Sequence, residues 1–315
     1  MTAEFPRLPF TPDLTETGVA EVVAALAHPS RQLFLGNYDD MRLRVADNIA
    51  ALAVRRYLAQ EGIPHQAAPA ISFSEADRYD IAIGGRRCVP LAQLDCGQVR
   101  SDQVYLPEET GGRVYRDVDI YLFIRLTGKV TCSREEVDRA QLAGQPVYLI
   151  HHMPEAWASP ERWAGLDRLA LKTDTIEPVS LALHGQDRER SPLVYRADLQ
   201  PRRRIKVRTG LYALGSVHAT AIPTGPVGIH SPKLEELHLI HPYQWGNIWV
   251  YGESLEMLGY ITQERFHQEA VKLMPGEEQP NPCLKDRPLL RLPVVALTPA
   301  EDLFRRAREW AEKRG

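Results

Sequence analysis

A carboxylate just ahead of a short hairpin is the feature of this sequence that comes closest to catalytic chemistry. Asp80 lies in residues 79–94, where two β-runs are joined by Gly84-Gly85, a two-residue turn signal. Metal-dependent phosphodiester cleavage needs a divalent cation on hard oxygen ligands and a positive side chain beside the phosphorus. A hairpin supplies these groups when one strand ends at a carboxylate and the next carries an acid and a lysine two positions apart, because residues i and i+2 point the same way.

Several segments around this hairpin follow a recognisable order. They are R-V-A-D-N-I-A (44–50), R-Y-D-I-A-I-G-G-R-R-C (78–88), V-Y-L-P-E-E-T (104–110), D-V-D-I-Y-L-F (117–123), N-I-W-V-Y-G (247–252) and L-G-Y-I-T-Q-E-R-F (258–266). Together they resemble the core of PD-(D/E)XK nucleases over roughly residues 36–155 and 245–275, by pattern rather than by a diagnostic signature. The resemblance implies a restriction-endonuclease-like mixed sheet flanked by helices.

The chain departs from that family at its chemical positions. Asp80 matches the first family carboxylate, but Val89-Pro90-Leu91 stands where the family has its acid-x-lysine. Asp47 lies on the preceding helix, where the family often has glutamate. Because valine cannot bind a cation and leucine cannot stabilise a phosphorane, the resemblance implies a degenerate active site in which Asp80 is a vestigial carboxylate, with no cofactor.

Two other interpretations of Asp80 remain open. Asp95, Asp117 or Asp119 could complete a migrated site for Mg²⁺ or Mn²⁺, which makes the chain a divergent metal-dependent endonuclease. Such a site also needs a substitute for the lysine, and the nearby cations are Arg86 and Arg87. Alternatively, Asp80 is a turn residue whose side chain caps its own loop.

The strongest basic run is P-R-R-R-I-K-V-R (201–208). As a strand it would place four cations on one face, a row suited to the phosphates of DNA or RNA: Arg202, Arg204, Lys206 and Arg208. Arg86 and Arg87 are further candidates for nucleic-acid contact. The alternative, favoured by the acidic overall balance, is a solvated edge strand that its charges protect from aggregation.

Aromatic residues cluster in P-Y-Q-W-G-N-I-W (242–249), where Tyr243, Trp245 and Trp249 are candidates for a partner surface. Core packing is the favoured alternative, because buried aromatic side chains supply much of the cohesion of such layers. His151-His152 and the group His230, His238 and His241 have no metal-ligand spacing, so we expect hydrogen-bonded histidines at strand ends.

The elements that must position these residues follow from periodicity. Residues 42–60 predict an amphipathic helix, 118–126 a central strand covered on both faces, and 133–142 a helix capped by Ser133. Alternating runs over 171–217 indicate antiparallel strands. Near the C-terminus, residues 263–273 predict a helix, 291–297 a strand, and 299–313 a helix capped by Thr298.

The predicted fold class is therefore α/β, with a restriction-endonuclease-like sheet plus a β-rich, sandwich-like module. The predicted limits are 1–165 for the nuclease-like domain, 166–228 for the β-rich module, which could be inserted or sequential, and 229–315 for an α/β part that could complete the first domain.

Composition narrows the functional class. The 315 residues carry a net charge of −3, so no global positive field indicates a nucleic-acid partner. Four scattered cysteines and the lack of a leader or membrane segment predict a cytoplasmic protein with no membrane partner. We expect a pseudoenzyme that binds nucleic acid or is a structural subunit of a nucleic-acid-processing or defence assembly, with protein partners. A protein- or ligand-binding β-module protein is a further alternative.

Overall fold

The computed structural model describes residues 5–26, 37–68, 79–97, 101–108, 118–131, 133–158, 166–234, 237–276, 281–285 and 287–313. The protein is a mixed α/β chain with several sheets, which confirms the predicted fold class. Its contacts form two compact units. Unit 1 comprises Met1–Gly18, Arg42–Val130 and Val250–Gly315, and unit 2 comprises Val19–Met41 and Thr131–Trp249.

The helices of the described residues are α1 (Pro12–Leu26), α2 (Tyr38–Gln60), α3 (Arg134–Leu142), α4 (Glu155–Ala158), α5 (Gln263–Glu269) and α6 (Ala300–Glu312). Short 3₁₀ turns occur at Pro242–Gln244, Pro282–Leu284 and Val294–Ala296. None of these helices combines the length and apolarity needed to cross a bilayer.

Unit 1 is built on a six-stranded sheet. Its strands are β1 (Arg7–Leu8), β2 (His65–Ala67), β3 (Ile81–Ile83), β4 (Arg86–Asp95), β6 (Ile120–Val130) and β16 (Val250–Thr262). They lie in the order β1-β16-β6-β4-β3-β2. β4 and β6 run parallel, and the other neighbours are antiparallel. β6 is central and buried from Ile120 to Leu126, as its near-continuous apolarity predicted.

The predicted hairpin is present as β3 and β4. Gly84 and Gly85 have φ values of 55° and 77°, the left-handed pair that a type I′ turn requires. β3 pairs with β4 only as far as Cys88, so Pro90 lies where β4 has no neighbouring strand on that side among the described residues. Beyond that point the side chain of Asp47, on α2, accepts the N–H of Ala92 at 2.9 Å.

A three-stranded sheet completes unit 1, and the elements near the C-terminus correct two predictions. It consists of β5 (Gln103–Pro107), β17 (Val271–Leu273) and β18 (Leu289–Pro293), in the order β17-β18-β5. The predicted helix 263–273 ends at Glu269, because Ala270 is extended and Val271 starts β17. Thr298 does not cap α6: the cap position is Pro299, and the backbone of Thr298 pairs with Tyr260 instead.

Unit 2 contains two antiparallel sheets that share one apolar core. The first has the order β10-β9-β12-β7-β15 and the second β11-β8-β13-β14. The strands are β7 (Leu149–His152), β8 (Arg168–Thr173), β9 (Val179–Gln186), β10 (Pro192–Leu199), β11 (Arg204–Arg208), β12 (Ala213–Ala219), β13 (Val227–His230), β14 (His238–Ile240) and β15 (Gly246–Asn247). This arrangement confirms the β-rich module.

Strand pairing places the limits of unit 2 away from the predicted limits of 166 and 228. β7 precedes residue 166 and pairs with β12, and β15 follows residue 228 and pairs with β7. The contacts therefore divide the chain after Val130 and Trp249. Within this unit Ser133 caps α3 as predicted, and its hydroxyl accepts the N–H of Glu136 at 3.2 Å.

Replacing Gly84 by alanine tests the packing of α6 on the hairpin. A Cβ at Gly84 would lie 2.9 Å from Cα of Ala307, so the variant adds a backbone clash to the cost of a positive φ. We expect Gly84→Ala to lower the free energy of unfolding by about 3 kcal/mol. The matched control is Gly62→Ala, at φ 60° with open space around it, with an expected loss of about 1 kcal/mol. Equal losses in urea titrations would contradict the close approach.

Candidate functional site

Asp80 lies immediately before β3, where backbone hydrogen bonds fix its position. Its N–H donates to the carbonyl of Cys88 at 3.1 Å, and its carbonyl accepts the N–H of Ala68 at 2.9 Å. The guanidinium of Arg55, from α2, donates to the same carbonyl at 3.1 Å. The predicted vestigial carboxylate thus lies at the start of a well-anchored hairpin.

The two positions where the resemblance places an acid and a lysine are interior. Val89 is 0% exposed and Leu91 is 3% exposed. Both belong to an apolar cluster on the face of the sheet, with Tyr121, Phe123 and Phe266 as its aromatic members. The rings of Tyr121 and Phe266 meet edge to face at 5.6 Å. A charged group in this layer would lose its hydration without gaining a partner.

Asp119, one of the candidate rescue ligands, is paired with Arg87. Its carboxylate accepts the backbone N–H of Arg87 at 2.8 Å and the guanidinium Nη2 at 2.9 Å. These hydrogen bonds lower the pKa of Asp119, although partial burial opposes the shift. The structure thus brings together two predicted site residues as a half-exposed ion pair, while Arg86 is exposed at the start of β4.

The remaining rescue candidates do not join Asp80. Asp95 ends β4, seven residues beyond Cys88, and at about 3.3 Å per residue the two positions are roughly 23 Å apart. Asp117 lies outside the described residues. Across the described ranges, no three His, Cys, Asp or Glu side chains are grouped so that they could hold a metal ion.

A buried cluster around Arg125 is the polar site that sequence reasoning missed. The guanidinium lies 3.2 Å from Oε2 of Glu256 and 4.0 Å from Oδ2 of Asp95, and all three side chains are at most 6% exposed. Arg125 also donates to the carbonyl of Ser101 at 2.6 Å. The cavity beside it, of ≈ 20 Å³, has room for about one water molecule. The signal in the sequence was an arginine inside an otherwise apolar central strand.

This cluster ties the elements of unit 1 together. Arg125 and Glu256 are cross-strand partners on β6 and β16, and Gln93 occupies the same register on β4. Asp95 accepts the N–H groups of Gly97 and Ser101, each at 3.1 Å. Because Arg125 joins two carboxylates and a backbone carbonyl of the loop, the cluster is suited to holding the sheet and the loop after β4.

The basic run of unit 2 forms the edge strand β11, with its cations on one exposed face. Arg204, Lys206 and Arg208 alternate with half-buried Ile205 and Val207. The predicted fourth member of the row, Arg202, is not on the strand: it lies in the preceding turn with a left-handed φ of 56°, because the strand begins only at Arg204.

The predicted partner surface separates into buried and exposed parts. Trp245 and Trp249 are 8% and 9% exposed, so neither presents its ring to a partner, in agreement with the alternative of core packing. Tyr243 is 78% exposed and stacks on His241, with ring centroids 5.5 Å apart. Only Tyr243 of the three is placed to meet another molecule.

Two histidines of unit 2, His151 and His238, lie in direct contact. His151 and His238 face each other with their Nε2 atoms 2.9 Å apart, and Nδ1 of His151 lies 3.3 Å from the carbonyl of Gln244. Since only an N–H can donate to that carbonyl, His151 accepts at Nε2 and His238 donates. Burial lowers the pKa of His151 to about 4 and also lowers that of His238.

Three more imidazoles share this behaviour on the first sheet of the unit. Burial lowers the pKa values of His152, His184 and His218 to about 4. His152 and His184 are both register partners of Ser216. The Nε2 atoms of all three histidines are buried without a hydrogen-bond partner among the described atoms. Protonation would therefore create buried charges with no counter-ion in contact.

Comparison with known proteins does not assign a family, since no family profile matches the chain and no curated protein matches it significantly.

Replacing Arg125 tests the buried cluster. Arg125→Met keeps most of the side-chain volume but leaves Asp95 and Glu256 buried without a cation, so we expect a loss of about 3–5 kcal/mol in the free energy of unfolding. The control is Arg87→Met, which breaks the half-exposed pair with Asp119 and is expected to cost about 1 kcal/mol or less. Denaturant titration measures both, and similar losses would contradict the assignment of Arg125 as the cluster's required cation.

The buried histidines predict acid sensitivity. Because their folded pKa values lie below the unfolded value of about 6.5, the unfolded chain binds more protons between pH 6.5 and 4, so stability falls as the pH falls through that range. Each of the four histidines with a pKa near 4 contributes at most about 1.4 kcal/mol per pH unit.

Denaturant titrations across this pH range measure the slope. We expect the double variant His184→Gln/His218→Gln to have a shallower dependence of unfolding free energy on pH, because it removes two of the titrating groups. Ser216→Ala perturbs the same sheet face without removing a titratable group, and its slope should stay that of the parent. An unchanged slope in the double variant would refute the assignment.

Proposed function

We propose that this protein is a catalytically inactive, nuclease-like scaffold that binds nucleic acid, or acts as a structural subunit, within a nucleic-acid-processing or defence assembly. The observation that carries the proposal is the burial of Val89 and Leu91 in an apolar layer. These are the positions where the nuclease resemblance requires an acid and a lysine. Without them, Asp80 alone supplies too few ligands for a hydrolytic cation.

Two other carboxylates near the hairpin already have partners within the protein. Asp119 is hydrogen-bonded to Arg87, and using it as a metal ligand would require breaking that pair. Asp95 belongs to the Arg125 cluster at the far end of β4. These placements weigh against the alternative of a divergent metal-dependent endonuclease built around Asp80.

Nucleic-acid binding is supported by the exposed cations of β11 in unit 2. Arg204, Lys206 and Arg208 present a positive row on a protein of slightly negative net charge. Phosphate contacts of this kind provide affinity without requiring any catalytic group. A binding role therefore needs nothing from the hairpin except a stable scaffold.

The test is a divalent-ion titration combined with a cleavage assay. We expect no saturable binding of Mg²⁺ or Mn²⁺ by calorimetry, and no cleavage of plasmid or single-stranded DNA with either ion. Asp80→Asn and the exposed control Asp138→Asn should leave nucleic-acid affinity within about twofold of the parent, because neither residue contacts phosphate. Cleavage that disappears in Asp80→Asn but persists in Asp138→Asn would instead establish the endonuclease alternative.

A further inference from the structure

The cations of β11 belong to a larger charged face that includes the neighbouring strand β8. Arg204 lies opposite Lys172, and Arg208 lies opposite Arg168. Lys206, between them, lies opposite Ala170. Residues in register on neighbouring strands point to the same side of a sheet, so five cations share one outer surface. We call this set the cationic face: Arg168, Lys172, Arg204, Lys206 and Arg208.

Protection of a sheet edge does not explain this arrangement. Charges on β11 are sufficient to discourage edge-to-edge pairing, whereas β8 lies inside the sheet between β11 and β13. Like charges directly opposite each other destabilise a sheet, and the face contains two such pairs, Arg204–Lys172 and Arg208–Arg168. A ligand that brings negative charge removes that repulsion.

The charges of this face are also available to a ligand. Within the described part of the chain, Lys172 is the only one of the five with a carboxylate in ion-pair distance, Asp174 at 2.8 Å. Both partners in that pair are half exposed, so an incoming phosphate competes with a weak interaction. The other four cations have no carboxylate within ion-pair distance among the described residues.

The opposite edge of the same face is apolar. Gly228 on β13 lies between Lys172 on β8 and Leu239 on β14. A Cβ at Gly228 would lie 3.4 Å from the side chains of both Leu237 and Leu239, which places these leucines over that glycine. Leu237 is 51% exposed and Leu239 is 43% exposed. Because Gly228 has no side chain, the two leucines lie directly beside Lys172 on this face.

From this geometry we infer that the face binds single-stranded nucleic acid, with phosphates on the cationic face and bases against Leu237 and Leu239. Cations repeat along β11 at roughly 6.6 Å, and β8 and β14 are two strand spacings, or about 10 Å, apart. A single strand carries charge along one side and bases along the other, so it fits both halves at once. The inference rests on the proposed nucleic-acid-binding function and deepens it.

Two other polyanions, a nucleic-acid duplex and an anionic bilayer, would gain less from the leucines of this face. A duplex offers a flat surface only its phosphates, because its bases are stacked inside, so the leucines add nothing. An anionic bilayer would draw little from two half-exposed leucines, since peripheral membrane binding scales with the apolar area inserted. The leucines therefore distinguish a single strand from both alternatives.

The first experiment measures fluorescence anisotropy of labelled 20-nucleotide single strands of DNA and RNA, and of the matching duplex, with the full chain. The triple variant Arg204→Gln/Lys206→Gln/Arg208→Gln should bind single strands at least about tenfold more weakly at low salt. The slope of log affinity against log salt should decrease by about 2, since each lost phosphate contact removes about 0.7 for a single strand.

The matched control removes the same charge from α6 and the residue that follows it. Arg306→Gln/Arg308→Gln/Lys313→Gln carries an identical change in net charge on exposed positions and should keep the parent affinity and slope. If the control weakens binding as much as the triple variant does, the effect is one of net charge and the inference is wrong. Circular dichroism and unfolding curves establish that both proteins fold.

The second experiment tests the leucines. Leu237→Ser/Leu239→Ser should weaken single-strand binding about threefold to tenfold with an unchanged salt slope, and should leave duplex binding unaffected. The control Ile176→Ser/Val194→Ser alters two other exposed apolar residues of the same unit and should change neither. Equal effects of the leucine variant on single strand and duplex would overturn the single-strand preference.

Failure of the inference can be separated from failure of the proposed function. If the protein binds nucleic acid and the triple variant binds as tightly as the parent, the inference fails while a nucleic-acid-binding role stands. If the protein binds phosphatidylserine vesicles through the cationic face but binds no nucleic acid at low salt, the inference and the proposed nucleic-acid-binding role both fail. Loss of single-strand binding in the triple and leucine variants, with both controls intact, supports both.

Discussion

The cost of removing charge from water determines where polar groups lie in unit 1. The central strand β6 is buried from Ile120 to Leu126, and the one cation in that stretch, Arg125, is stable there because Asp95 and Glu256 meet it. On the same sheet face, Val89 and Leu91 extend the apolar layer toward the hairpin. A buried group here must be apolar or fully paired, and neither kind is available for reaction.

The same constraint separates the polar groups of unit 2. Its buried histidines stay neutral near pH 7 because burial lowers their pKa values to about 4. Five of its permanent cations lie on the outer surface of the second sheet, where water compensates for their mutual repulsion. In unit 2 these cations are therefore on the surface, whereas the histidines whose protonation would destabilise the fold are buried.

These two distributions together favour binding over catalysis. Catalytic side chains in a shielded site need hydrogen-bonding groups or charges that are not already paired, so that they can act on a substrate. In unit 1 several polar side chains are already hydrogen-bonded within the protein, as Asp119 is to Arg87 and Gln93 is to the backbone of Tyr105. Unit 2 presents five cations on an exposed sheet surface, which is what the proposed binding function requires.

The sequence alone determined the local structure. Gly84-Gly85 predicted the hairpin because its two positive φ values favour glycine, Ser133 predicted a helix start because its hydroxyl caps a free N–H, and apolar continuity predicted the buried strand β6. It also indicated the alternation that places the cations of β11 on one side. Each of these features depends on residues that are close along the chain.

Only the tertiary structure decided what those elements meet. The partner of Arg125 is Glu256, 131 residues away, and the pairing of Arg208 with Arg168 depends on strand register. The burial of Trp245 likewise depends on the tertiary structure. Helix α5 ends early because Val271 pairs with Arg291 on β18. A local pattern states which side of an element is apolar, but register and burial arise from distant segments packing together, and no periodicity in one segment contains that information.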